Sequence, residues 1–137
     1  MMEACSVSEH SLLGKRLVVV ALVVAVAGTI GSLALSMALG LKACPLCFYQ
    51  RSFVMATAAV LIVGLIAHGV PASTLSLLAL PLATSGLAVA GFHVFLEQSG
   101  TLECPPGFLG LGTAPHQSLI LCAFLTGVLC ISAATAT

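Results

Sequence analysis

Four long apolar runs constrain this chain more than any other feature of its sequence. They extend over residues 17–39, 53–67, 71–92 and 118–137. A helix needs about 20 residues to cross the hydrocarbon of a bilayer, and roughly 17 is the lower limit. The second run reaches that length if residues 48–52 form its first turn. Backbone groups must be paired internally in lipid, and continuous apolar runs exclude a β-barrel. The sequence therefore predicts an all-α membrane protein with a bundle of four transmembrane helices.

Composition leaves little of the chain for a water-soluble part. Hydrophobic residues make up 60% of the 137 residues and charged residues only 6%, whereas soluble domains carry roughly 25% charged residues. We expect lipid as the surroundings and no nucleic-acid partner. The prediction is one membrane domain over residues 1–137, with helices at about 17–39, 48–67, 71–94 and 115–137 and thiol-bearing loops at 40–47 and 97–117.

The first apolar run follows Lys15 and Arg16, as the apolar part of a signal peptide would. It is about twice the usual length of 7–15 residues, so we expect a retained helix. Cleavage near Ser36-Met37-Ala38 is a minor alternative. Residues 1–16 are polar and are expected to form a mobile tail.

The segment Cys44-Pro45-Leu46-Cys47 lies between the first two apolar runs, where the second helix should begin. Two thiols at this spacing can close a disulfide, exchange it with another thiol or bind a metal. The positive end of the helix dipole and Arg51, four residues after Cys47, favour the reactive thiolate form. Because lipid-soluble electron carriers can reach thiols beside a bilayer, the motif predicts redox chemistry.

Other uses of the thiols fit the sequence less well. Zinc usually takes four ligands, and only Cys104, His93 and His116 could complete a set, none with paired spacing. Covalent haem attachment requires a histidine directly after the second cysteine, where Phe48 stands. We expect no metal, and a non-enzymatic metal-binding membrane subunit stays as an alternative.

Connectivity places the cysteine-bearing loops together. Loops that follow the first and third helices emerge on the same side of the membrane, so Cys44, Cys47 and Cys104 share one compartment. His93, at the exit of the third helix, faces that compartment as well. Since disulfides persist outside the cytosol, the thiol loops are predicted on the periplasmic or extracytoplasmic side.

Three further side chains are candidate ligands of a cofactor. Arg51 is costly beside a membrane and is predicted to hold a thiolate or an anionic reduced cofactor. His93 could donate a hydrogen bond or a proton to a carbonyl compound. Tyr49, the only tyrosine, could stack on a ring or anchor the helix among lipid headgroups.

The stretch Cys-x-Leu-Cys-x-Tyr-x-Arg from Cys44 to Arg51, after a first membrane helix, resembles the DsbB family, the bacterial disulfide bond formation protein B. Gly91-Phe92-His93-Val94-Phe95 is similar to the family's segment with a histidine at the end of the third helix. The order of four helices, with thiols in the first and third loops, is similar over the whole chain.

The resemblance implies an enzyme of the bacterial inner membrane. Family members reoxidise a soluble thioredoxin-fold oxidase of the DsbA kind and pass the electrons to a membrane quinone, ubiquinone or menaquinone. Cys44 and Cys47 would deliver electrons to the quinone, with Cys47 as the electron donor, and Arg51 would assist quinone binding. The third-loop pair would exchange with the soluble partner, and Cys104 lies where one of its members belongs.

The third loop departs from the family pattern because it contains one cysteine. The next, Cys122, lies inside the start of the fourth helix. A Cys104–Cys122 disulfide would require Cα atoms within about 7 Å, so the loop would have to fold back onto that helix. Otherwise Cys104 acts alone, and both options stay open. A vitamin K epoxide reductase-like quinone enzyme is a further alternative, although its C-x-x-C motif lies near the end of the bundle rather than at its beginning.

Overall fold

The computed structural model describes residues 2–38, 40, 44–67, 69–101 and 112–135, with side chains from residue 12 onward. It contains four α-helices, each with a segment long and apolar enough to cross a membrane. The predicted all-α fold with four membrane helices is confirmed. The helices are α1 (Met2–Ala38), α2 (Pro45–Ile66), α3 (Ala72–Gln98) and α4 (Ala114–Thr135).

The ends of the helices differ from the predicted bounds. α1 already begins at Met2, whereas the predicted helix begins at about residue 17. Residues 2–13 contain neither proline nor glycine, and nothing in them interrupts a helix. α3 continues beyond residue 94 to Gln98 and stops before Gly100, which has a positive φ of 72°. Apolar runs mark the part of a helix that lies in lipid, and these helices extend past it.

Each helix packs mainly against two neighbours, in the cyclic order α1, α2, α3, α4. Consecutive helices run antiparallel, because residues that bond across each pair lie near the start of one helix and near the end of the other. Many of the buried residues are alanines, which let the helices approach closely. The buried core includes Val18, Ala21 and Ala25 of α1, Val54, Ala58 and Leu61 of α2, Leu75, Ala79, Ala83 and Ala90 of α3, and Leu125 and Leu129 of α4.

A buried chain of hydrogen bonds joins three helices at one end of the bundle. The Ser76 hydroxyl of α3 donates to Ser132 Oγ of α4 over 2.9 Å, and the Ser132 hydroxyl donates to the Gly14 carbonyl of α1 over 3.2 Å. Both serines are fully buried. In apolar surroundings, such bonds satisfy the hydroxyls and fix the three helices relative to one another.

α3 passes close to its two neighbours at Gly86, which is buried. A Cβ atom at this position would lie 3.3 Å from the Cβ of Phe53 in α2 and 3.8 Å from the Sγ of Cys122 in α4. Phe53 Cβ is fixed to the backbone of α2, so it cannot move aside without moving the helix. The absence of a side chain at Gly86 thus sets the spacing of α2, α3 and α4 below the thiol-bearing end.

We predict that Gly86→Leu lowers the free energy of unfolding by about 1–3 kcal/mol, because the added side chain overpacks this contact. Thermal unfolding of the purified protein in detergent, followed by circular dichroism, measures the effect. The matched control is Gly127→Leu, since Gly127 is exposed on α4 and a Cβ there meets no heavy atom within 4 Å. Equal unfolding temperatures for the two variants would contradict the proposed spacing role.

Candidate active site

The start of α2 brings the two thiols of the C-x-x-C motif together. Cys44 is the N-cap residue, with extended backbone (φ −66°, ψ 155°), and its Sγ accepts a hydrogen bond from the Cys47 amide over 3.3 Å. Pro45 occupies the first turn, where its missing N–H costs no helical hydrogen bond. The two Sγ atoms lie 3.0 Å apart, and both residues carry thiols rather than a disulfide. The local fold thus holds the pair ready for closure.

A buried histidine from α3 completes the cluster. His93 Nε2 lies 3.6 Å from Cys44 Sγ, and its side chain has no exposed surface. The sulfur atoms of Cys44 and Cys47 and one ring nitrogen of His93 all lie within 4.8 Å of one another. The structure therefore brings together the dithiol and the histidine, although 49 residues separate Cys44 from His93 along the chain.

Two residues that sequence reasoning missed hold His93 from the other side. Gln50 is 4% exposed, and its Nε2 lies 3.3 Å from His93 Nδ1. The Ser118 hydroxyl donates to Gln50 Oε1 over 2.9 Å. The network therefore joins α2, α3 and α4. A polar glutamine one turn after Cys47 was a visible signal, whereas nothing in the sequence indicates that it faces Ser118.

Arg51 contacts α1 in the structure. Its Nε donates to Ser32 Oγ over 3.0 Å, and its Nη2 donates to the Ser32 carbonyl over 2.9 Å and to Ser36 Oγ over 2.6 Å. All three hydrogen bonds go to the neighbouring helix, a contact that the sequence did not indicate. They offset the cost of an arginine beside lipid and fix the direction of the guanidinium. Within the described residues, no acceptor bonds its Nη1 amino group.

A second polar cluster lies where α3 ends and α4 begins. The Thr113 hydroxyl lies 3.0 Å from Glu97 Oε2 and 2.7 Å from His116 Nδ1, and His116 Nδ1 lies 3.4 Å from the same carboxylate oxygen. His116 is 45% exposed but takes part in this contact. The cluster fixes the entry of α4 beside the helix end that carries His93.

The sequence of the chain matches the model of a known family. The model of the family described as Disulfide bond formation protein DsbB matches residues 14–136, nearly the entire chain. The chain belongs to the DsbB family. Membership makes it part of the disulfide-forming machinery of a membrane and indicates an oxidoreductase. Comparisons with curated proteins and with solved structures gave no match.

The other predicted site residues are Cys122, Tyr49 and Cys104. Cys122 is 1% exposed and carries a free thiol. Tyr49 is 57% exposed, and its ring contacts that of Phe48 edge-to-face, with centroids 6.4 Å apart. Cys104 lies outside the described residues, so its pairing or independent action stays a prediction.

We predict that Cys122 is protected from maleimide labelling in the folded protein but is labelled in denaturant without reductant, because its thiol is buried and free. Mass spectrometry of the labelled peptides measures this. Cys44 and Cys47 should label in the folded protein after reduction. Cys130 is the matched control, an exposed thiol on the same helix that should label with a lipid-permeant reagent. Failure of Cys122 to label in denaturant would show that it is oxidised, as a Cys104–Cys122 bridge requires.

We also predict that the double variant Ser32→Ala, Ser36→Ala lowers the free energy of unfolding by about 1.5–3 kcal/mol, since it removes hydroxyl acceptors from a charged donor. The control is Ser52→Ala, because Ser52 is exposed and its hydroxyl bonds only the Phe48 carbonyl of its own helix, over 2.9 Å. Thermal unfolding in detergent compares the variants. Equal stability of the double variant and the wild type would show that the two serine hydroxyls do not stabilise Arg51.

Proposed function

We propose that this protein is a membrane thiol:quinone oxidoreductase that reoxidises a DsbA-like soluble thioredoxin-fold oxidase and passes the electrons to a membrane quinone. The observation that carries the proposal is the cluster of Cys44 Sγ, Cys47 Sγ and a buried His93 nitrogen, all within 4.8 Å at one end of a membrane bundle. A packing role would not require a buried imidazole directed at a closely spaced thiol pair.

The residues around the dithiol fit a quinone. Arg51 is fixed to α1 through Nε and Nη2, which leaves Nη1 directed away from those bonds as a donor for a carbonyl or phenolate oxygen. Phe48 and Tyr49 expose 61% and 57% of their surfaces beside the motif and offer aromatic faces to a ring that arrives through lipid. When bound, the quinone, ubiquinone or menaquinone, would accept two electrons and two protons.

On the partner side, the Cys44–Cys47 pair exchanges its disulfide for the dithiol of the soluble oxidase. A partner thiolate attacks the disulfide, a mixed disulfide forms, and the second partner thiol closes the partner's own disulfide. The partner loses two electrons and two protons, which reduce Cys44 and Cys47 to thiols. The buried and free thiol of Cys122 supports the option in which Cys104 relays this exchange through a mixed disulfide of its own.

On the lipid side, the reduced pair returns to the disulfide. Cys47 is the electron donor, and Cys44, whose sulfur lies 3.0 Å away, closes the S–S bond. The two thiols together release two electrons and two protons. His93 contacts Cys44 sulfur and stabilises its thiolate at this step, while Arg51 stabilises negative charge on the acceptor's oxygen.

The orientation follows from charges at the two ends of the bundle. Lys15 and Arg16 directly follow Gly14. The Gly14 carbonyl accepts a hydrogen bond from Ser132 at the end of the bundle far from the dithiol. Arg51 binds α1 within the bundle, so we do not count it among the positive charges of the loop between α1 and α2. The positive-inside rule then favours a cytoplasmic start of α1. The dithiol accordingly faces the periplasmic side of a bacterial inner membrane.

We predict that the purified protein reduces a quinone when given a reduced thioredoxin-like donor, and that Cys44→Ser and Cys47→Ser reduce this rate to background, because neither can close the disulfide. Arg51→Ala should raise the quinone KM by roughly tenfold to a hundredfold, the value of a hydrogen bond to a charged group. Quinone absorbance over time gives both quantities.

Cys130→Ser is the matched control for loss of a thiol, since Cys130 is exposed on α4 away from the motif, and it should keep the wild-type rate. Arg51→Lys separates charge from geometry, because lysine keeps the charge but loses the planar fork. Full activity in either motif-cysteine variant would reject the mechanism.

A metal-binding role is the second candidate, because Cys44, Cys47 and His93 offer a three-ligand set of the type that zinc accepts. Elemental analysis of the purified protein distinguishes it from the redox role. Stoichiometric metal, with alkylation of both thiols blocked until a chelator is added, would favour binding over electron transfer.

A further inference from the structure

We infer that Gln50, oriented by Ser118, fixes His93 as a hydrogen-bond donor to the Cys44 sulfur, so that these two residues position the histidine of the active site. The catalytic consequence rests on the proposed function, whereas the positioning itself is a property of the reduced protein alone. Both residues act through His93, the side chain that lies against the Cys44 sulfur.

The first step concerns the two nitrogens of the imidazole. In neutral histidine one ring nitrogen carries a proton and the other accepts a hydrogen bond, and the neighbours decide which is which. The Gln50 amide nitrogen can only donate, and it lies 3.3 Å from His93 Nδ1. Nδ1 is therefore the acceptor, and the proton resides on Nε2, the nitrogen 3.6 Å from Cys44 Sγ.

The second step concerns the orientation of the Gln50 amide. Its Oε1 accepts from the Ser118 hydroxyl over 2.9 Å, which leaves the amide nitrogen to face His93. Turning the amide over would present its oxygen to Nδ1 and would require the opposite tautomer. Through Gln50, Ser118 of α4 thereby favours one site for the proton on His93 of α3.

The third step concerns burial. His93 is 0% exposed and Gln50 is 4% exposed, so protein groups rather than bulk water select the hydrogen-bonding pattern. A doubly protonated imidazole would direct Nδ1–H at the amide nitrogen of Gln50, and two donors would oppose each other. The glutamine thus favours the neutral ring with its proton on Nε2.

The two tautomers give Cys44 different chemistry. With the proton on Nε2, His93 donates to the sulfur and stabilises a Cys44 thiolate. With the proton on Nδ1, Nε2 would accept the thiol proton and act as a base. Gln50 selects the first arrangement, which keeps the thiolate of Cys44 hydrogen-bonded until it closes on Cys47.

The test is nitrogen NMR of the reduced, full-length protein in lipid nanodiscs, with labelled histidine and no quinone or partner. Signals of His93 are identified by their loss in His93→Phe. The wild type should show the Nε2–H tautomer. In Gln50→Glu, a carboxylate accepts from Nδ1–H, so the signals should shift to the Nδ1–H or the doubly protonated form. Gln98→Leu, at the exposed end of α3, is the control for Gln50→Leu, which should lose the tautomer preference.

A second measurement reads the thiolate. Alkylation of Cys44 near neutral pH, followed by mass spectrometry, should slow about tenfold in Gln50→Leu, because a charged sulfur loses an oriented donor. Ser118→Ala should slow it less, and Ser118→Thr, which keeps the hydroxyl, should restore the wild-type rate. Ser85→Ala is the control, since the exposed Ser85 hydroxyl bonds only the Pro81 carbonyl of its own helix, over 2.7 Å.

The outcomes separate this inference from the proposed function. An Nδ1–H tautomer in the wild type, or unchanged His93 signals in Gln50→Glu, overturns the inference. Absence of quinone reduction by the wild type would reject the proposed function and leave the tautomer result intact. Because the wild-type tautomer alone can overturn the inference, a variant that fails to fold does not remove the test.

Discussion

Polar side chains in this bundle have little water available, and this constraint determines how the helices fit together. A hydroxyl, amide or guanidinium in apolar surroundings must find its partner on another helix or on its own backbone. At one end, Ser132 accepts a hydrogen bond from Ser76 and donates one to the Gly14 carbonyl. At the other end, Arg51 binds α1, and Gln50 connects its own helix to α3 and α4. Directional bonds therefore specify the bundle near both membrane surfaces, while small apolar residues fill the space between them.

The reactive end is built from every helix, although only α2 carries the dithiol. α1 contributes the serines that hold Arg51, α3 contributes His93, and α4 contributes Ser118. Ser32 and Ser36 of α1 serve as hydrogen-bond acceptors for the Arg51 guanidinium. A DsbB-family site in this chain is accordingly a property of the assembled bundle, and its geometry depends on the relative rotation of all four helices.

The sequence was sufficient for features that depend on local hydropathy or on connectivity. Continuous apolar runs predicted the four helices, and chain direction placed Cys44 and His93 at the same end. Features that depend on rotation about a helix axis were not accessible. The helices are apolar on most sides, so their patterns do not reveal which face is inward. This is why Gln50 and Ser118 were missed and why the contact of Arg51 with α1 was not predicted. The extension of α1 to Met2 was missed because hydropathy marks lipid rather than helix ends.

The capping residue of α2 is itself an oxidisable group. The Cys44 sulfur accepts a hydrogen bond from the Cys47 amide and thereby caps the first turn of the helix. A thiolate is a stronger acceptor than a disulfide sulfur, so the stiffness of this turn changes whenever the pair gains or loses electrons. If the pair closes to a disulfide, the cap is weaker, and the first turn of α2 is held less firmly than in the reduced protein.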